Sequence, residues 1–442
     1  MAESKATAKA KSRVAVVGGG ITGLTVARQL VDRGHSVRVY ERDDPGGLAG
    51  GVRFGDASAV YLDKFYHHIF RTDAAIIRLI AEHGLEADLL WRPSASGLVA
   101  AGRAWRFGTP LDLLRCRPIG SVWQRLRMGL NLQRFRRRSD WRDLDGISCR
   151  DYFARRHNLT GYTNLWEPLL RAKAYDDYET VPAAFLWGRV HARAGSRERG
   201  RERLGYLRGG FQRLIDAMVE AIRARGGEVH AHDAVVRVVP GERPEVESQH
   251  ERERFDRVVW TAGLDLLLET IEAPSRDVAD KGEAIGYVAA TCLVLVLQRP
   301  LGDFYWLNSL ERALSFGAVI EHTNLVGTAD YGGASIVYVA CYHAQEHKLA
   351  SMSAGELLHL HWPSLERIFP DLTCHDIKRT LLFRASHASP LYTLRYAERM
   401  PPYTGWLPGV DICGVAQVYP FDRNMSHCVA NARRYVASVY GP

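Results

Sequence analysis

No two cysteines of this chain stand as C-x-x-C; the seven, Cys116, Cys149, Cys292, Cys341, Cys374, Cys413 and Cys428, are scattered and odd in number. That excludes a cysteine metal knuckle and a dithiol redox pair, and it speaks against a disulfide framework, so reduced thiols in a cytoplasmic setting are the expectation. No apolar run reaches the ~20 residues that span a bilayer. The longest, Ala284–Leu297, is interrupted by Gly286. Met1–Arg13 lacks the apolar stretch of a secretory signal, and residues 1–12 are expected to be a leader without structure. No Ser-His-Asp or Cys-His arrangement is legible, and His67 and His68 lack a partner at metal-ligand spacing, so neither a side-chain nucleophile nor a metal centre is expected. Lysine is rare, at eight of 58 basic residues.

What is present is an ordinary globular composition, 442 residues with 46% hydrophobic and 24% charged, enough for two or three domains. The formal net charge is +8. Nine arginines from Arg115 to Arg142 fall within 28 residues that hold one acid, Asp140. Such a patch suits phosphates or an anionic membrane surface as well as a plain solvated helix face; no nucleic-acid module accompanies it, so nucleic acid is not expected as a partner.

The opening unit is the most informative. Val14–Val17 reads as a buried strand, Gly18, Gly20 and Gly23 follow as G-x-G-x-x-G, Leu24–Arg33 has helical periodicity, and a second strand, Ser36–Tyr40, ends at Glu41. Gly18 permits the turn, Gly20 admits a pyrophosphate to the backbone, Gly23 lets helix and strand pack, and Glu41 accepts from a ribose. NAD and FAD both fit this unit. Arg42 after the acid and the pairs Gly46-Gly47 and Gly50-Gly51 match the extended glycine pattern of FAD proteins related to glutathione reductase, and FAD is the expected cofactor. Its site is expected to comprise Gly18, Gly20, Thr22, Gly23, Glu41, Arg42, Gly47, Val236, Gly414 and Met425.

Residues 111–204 read as mostly helical, with a charged loop over 195–203. Strands at 287–297, 316–322 and 334–342 suggest an antiparallel sheet, and the end of the chain returns to strand, glycine turn and helix. The expected fold class is α/β: an FAD-binding Rossmann-like domain assembled from 13–110, 205–265 and 385–442, an inserted helical lobe over 111–204, and an antiparallel substrate domain over 266–384.

His68–Asp73 (HIFRTD), Phe107–Leu111 (FGTPL), the run Glu167–Arg193, the strand Val319–His322 (VIEH), and Tyr419 before the last helix form a further set of segments. Together they resemble the amine oxidase, protoporphyrinogen oxidase and phytoene desaturase group of flavoproteins, and most of all the UDP-galactopyranose mutases. The resemblance implies His68 beside the flavin as the candidate catalytic group, and Arg189 or Arg193, Glu321, His322 and Tyr419 as candidate substrate contacts. Glu321 and His322 alternate on one strand, so at most one faces a cavity. Tyr305, Trp306, Tyr338, Tyr342 and Tyr419 are candidates for an aromatic wall. Ala318 stands where the mutase strand has an arginine, which favours an FAD-dependent oxidoreductase of a small, glycosylated or phosphorylated substrate over a sugar-nucleotide mutase.

Overall fold

The computed structural model describes residues 11–55, 60–194, 197–198, 201–272 and 274–441. Most of the expected leader and part of the 195–203 loop lie outside the described residues. The end of that segment is a strand rather than a loop: Arg201–Leu207 pairs antiparallel with Leu89–Pro93.

A five-stranded parallel sheet forms the first layer, in the order Glu228–His230, Ser36–Tyr40, Arg13–Val17, Arg257–Trp260, Val410–Ile412. Its central strand is apolar on both faces because both are covered. Val14 and Val16 join a core with Leu24 and Leu30 of the helix Ile21–Asp32, while Ala15 and Val17 join a second core with Val258 and Trp260. A three-stranded antiparallel meander, Val235–Val239, Glu245–Ser248 and Arg252–Arg254, adjoins this sheet.

The second sheet has seven strands in the order Ile377–Pro390, Tyr287–Leu297, Ser335–His343, Ala318–Glu321, Trp306–Ser309, Ser96–Ala100, Arg103–Arg106. It is mixed rather than wholly antiparallel, because Trp306–Ser309 runs parallel to Ser96–Ala100. The hairpin at 96–106, expected within the cofactor-binding segment, therefore extends this sheet, and Ile377–Pro390 crosses the expected boundary at 385. Along Tyr287–Leu297 the two-residue period sorts side chains between cores: Cys292, Val294 and Val296 face the cofactor domain, while Leu293, Leu295 and Leu297 meet Leu357 and Leu365 of the helix Ala354–Ile368.

Between them, the region from Pro110 to Ala194 is helical: Pro110–Arg115, Val122–Arg137, Cys149–Ala154, Glu167–Ala174 and Ala183–Ala194. Its aromatic residues Phe135, Phe153, Tyr162 and Trp187 share a core with Val17, Trp260 and Tyr419.

Candidate active site

The glycine turn is shaped for a phosphate. Gly18 has φ +105°, and a Cβ there would come 2.5 Å from Thr261 Oγ1. A Cβ at Gly23 would lie 1.9 Å from the Gly18 carbonyl oxygen, so helix and strand meet backbone to backbone. At Gly20 a Cβ would meet nothing within 4 Å. The helix Ile21–Asp32 starts here with no side-chain cap and no acid in its first turn, which leaves its free N–H groups and positive dipole end for an anion. Gly47 lies against Gly20, and Glu41 accepts from Gly19 N at 2.7 Å and from Asp43 N at 2.9 Å. Thr22 is buried in the first turn. These features fit the pyrophosphate and ribose of a dinucleotide.

The remaining expected cofactor residues are distributed around this turn. Arg42 is exposed and pairs with Asp43, and Val236 is exposed at a bulge of the meander. Gly414 N donates to Gln417 Oε1 at 2.8 Å, and Met425 is the buried first residue of the helix Met425–Tyr440. Asp73 fastens that helix to the HIFRTD segment: Oδ1 accepts from Asn424 Nδ2 at 3.0 Å and Oδ2 from Phe70 N at 2.8 Å.

His68 packs between Phe70 and Trp306, with Nδ1 3.1 Å from the Tyr305 hydroxyl. Burial, then Arg193 and His67, lower it to about 3. It is therefore a neutral imidazole near pH 7, suited to hydrogen bonding rather than to the near-neutral proton transfer expected from its type.

Next to this segment lies a group of charges that the sequence reading brought together only in part. Asp422 accepts from Arg189 Nη1 at 2.5 Å and from Lys173 Nζ; Arg423 Nη2 donates to the Tyr342 hydroxyl at 2.8 Å. Burial would raise the Asp422 carboxyl, yet Lys173, Arg189 and Arg423 hold it well below the usual carboxylate range. Burial lowers the Lys173 ammonium against the opposing pull of Asp422. Tyr342, which burial alone would raise, is lowered by Arg423 and Lys173. A narrow cleft lined by Leu170, Lys173, Phe185 and Leu391 reaches this group at Lys173.

The other candidate substrate contacts sit elsewhere. Arg193 is exposed above the Phe70 ring. Glu321 is buried and accepts from Leu301 N, Gly302 N and Ser335 Oγ, while His322, fully buried, contacts the Tyr331 hydroxyl at 3.1 Å. Both serve the interior, and alternation does not separate them, because the strand ends at Glu321 and His322 opens the next turn. Tyr419 donates to Asp145 Oδ1 and is packed by Trp141, Tyr392 and Tyr396, so it joins the lobe to the terminal segment. Away from the cleft, His230, Asp233 and Glu251 bring ligand-type atoms within 4.8 Å of one another, a grouping not foreseen; Arg38 donates to Glu251 at 2.7 Å.

Residues 21–404 match the flavin containing amine oxidoreductase family. The chain belongs to that family. Its cofactor is FAD, and the resemblance seen in the sequence holds at the level of the superfamily. The zeta-carotene desaturase of Zea mays is 28% identical over 196 residues, 39% of this chain and 34% of that protein. The 15-cis-phytoene desaturase of Synechococcus elongatus is 26% identical over 238 residues, 49% of this chain and 48% of that protein. The aligned portion is thus less than half the length of these curated relatives. Among solved structures, reduced UDP-galactopyranose mutase superposes with a TM-score of 0.75 at 14% identity, covering 98% of this chain and 96% of that one. Putrescine oxidase bound to putrescine gives 0.71 at 17% identity, covering 98% and 100%. At such identities the likeness is one of fold.

Proposed function

We propose that this family member is an FAD-dependent oxidoreductase whose small substrate carries an anionic group, seated on Lys173, Arg189 and Arg423. The observation that carries this reading is the sign of the cluster: three cations face one carboxylate, Asp422, and all four residues are half-buried. Cations withdrawn from water need counter-charge, and a phosphate or carboxylate supplies it, whereas a protonated amine would be repelled. FAD is assigned to Gly18, Gly20, Thr22, Gly23, Glu41, Arg42, Gly47, Val236, Gly414 and Met425, and when bound it supplies the two-electron acceptor. Arg189 and Arg423 orient the anion; Tyr342, lowered by its cationic neighbours, takes up or returns a proton at its hydroxyl; His68 holds its hydrogen bond to the Tyr305 hydroxyl without charge.

Anaerobic flavin spectra with phosphate- or carboxylate-bearing alcohols and with uncharged and amine analogues test this reading. Bleaching by the anionic compounds supports it, and bleaching by amines alone overturns it. Turnover that appears only after prior reduction with dithionite, with no net redox change, would instead support a mutase reading, to which the same cluster offers a diphosphate site.

A further inference from the structure

The outer face of the helical lobe is apolar where solvent should meet it. Six of the ten large apolar side chains exposed among the described residues, Leu111, Leu114, Val122, Trp123, Leu126 and Leu130, lie on the helices Pro110–Arg115 and Val122–Arg137. Trp123 is 73% exposed. With about 3.6 residues per turn, Val122, Trp123, Leu126 and Leu130 share one side of their helix, opposite the buried Arg125, Met128, Asn131 and Phe135. Leu113 packs beneath Gly129, so the two helices lie side by side.

The same surface is strongly basic. No acid occurs between Asp112 and Asp140, and Arg115, Arg117, Arg127, Arg134, Arg136 and Arg137 are exposed. We propose that this face docks on an anionic lipid bilayer, with Trp123 and the leucines in the boundary between headgroups and acyl chains and the arginines at the lipid phosphates. An exposed tryptophan in an apolar stripe flanked by arginines matches that boundary in both hydropathy and charge. Pairing with a second copy through this face would set arginines against arginines. Among the described residues no helix is long and apolar enough to cross a membrane, so the contact is one-sided. This docking does not depend on the substrate proposed above. It would bring the cleft close to the lipid, because the helix Ala183–Ala194, which carries Arg189, packs on the inner side through Trp187 Nε1 to Arg138 O at 2.9 Å and His191 Nε2 to Phe135 O at 2.8 Å.

The test is co-sedimentation of the FAD-loaded protein with vesicles of phosphatidylcholine and phosphatidylglycerol in equal parts, or of phosphatidylcholine alone, at low and high salt. The expected result is binding to the anionic vesicles that weakens with salt. The combined substitutions Trp123→Ser, Leu126→Ser and Leu130→Ser should reduce the partition coefficient about tenfold or more, and Arg136→Gln with Arg137→Gln about tenfold with a shallower salt dependence. Flavin content and thermal melting should stay unchanged in both, since all five side chains point to solvent. Failure of the parent protein to sediment at low salt overturns the proposal, as does undiminished binding by the apolar triple variant. A parent oligomer that the triple variant converts to monomer, without vesicle binding, would assign the face to a protein contact instead.

Discussion

Around Gly18–Gly23 almost every polar group that matters belongs to the backbone, whereas around Asp422 almost every one is the tip of a long side chain. The first region is shaped by what is missing, since a Cβ at Gly23 would overlap the Gly18 carbonyl. The second is held by Coulombic balance among Lys173, Arg189, Asp422 and Arg423. A backbone cradle is specified by consecutive residues and tolerates no bulk; a charge cluster is assembled from two helices and a distant loop and tolerates bulk better than a change of sign.

That contrast can be broken most severely at Gly23. Gly23→Val forces backbone apart and should destabilise the fold by about 3 kcal/mol or more, seen as a lowered melting temperature and loss of soluble protein. Gly20→Val, facing open space, should melt like the parent yet purify without flavin; a yellow Gly20→Val protein at full occupancy would sink the assignment. Asp422→Ala leaves two cations unpaired and should lose about 2–3 kcal/mol by denaturant titration. Because the folded carboxyl titrates below its unfolded value, the contribution of Asp422 is present above about pH 4 and fades as pH falls further. Lys173→Met and Arg189→Gln should each raise KM for an anionic substrate about tenfold to a hundredfold while leaving flavin content intact.

Smaller effects sharpen the comparison. His68→Ala should keep FAD and slow flavin reduction about tenfold, within the lower part of what positioning groups contribute. The loss should be the same from pH 5 to 9, because His68 titrates at about 3; a step near pH 6.5 would contradict its neutrality. Asp63, wholly buried and accepting from Tyr206 and Phe211 N, is raised to about 7 by burial. Its folded value exceeds its unfolded one, so stability should decline as pH rises from about 4 to 7, and Asp63→Asn should flatten that slope in thermal melts.

The strand, glycine turn, helix and Glu41 were legible because each is fixed by neighbours a few residues away, whereas the superfamily resemblance rested on separate short segments such as His68–Asp73 and Val319–His322. The helical character of the lobe was legible as well. The charge cluster was only half visible: Arg189 was singled out, but its carboxylate partner lies 233 positions away, and Lys173 lies 249 from the same group. Nothing local marks such a pairing. Glu321 and His322 misled for a related reason: period-two alternation holds only while the strand lasts, and here it stops between them.

One close approach limits how the molecule can move. A Cβ at Gly188 would come 2.4 Å from the Pro420 carbonyl oxygen, so the lobe helix rests on the backbone of the segment just before Asp422. The lobe is thereby latched to the terminal part of the cofactor domain at a point without side-chain slack, one residue before Arg189. A swing of that helix would have to part the latch and the Arg189–Asp422 ion pair together. Traffic through the cleft is therefore expected to rely on side-chain rotation at its mouth, and an Arg189 freed from Asp422 by an arriving anion would be the moving part.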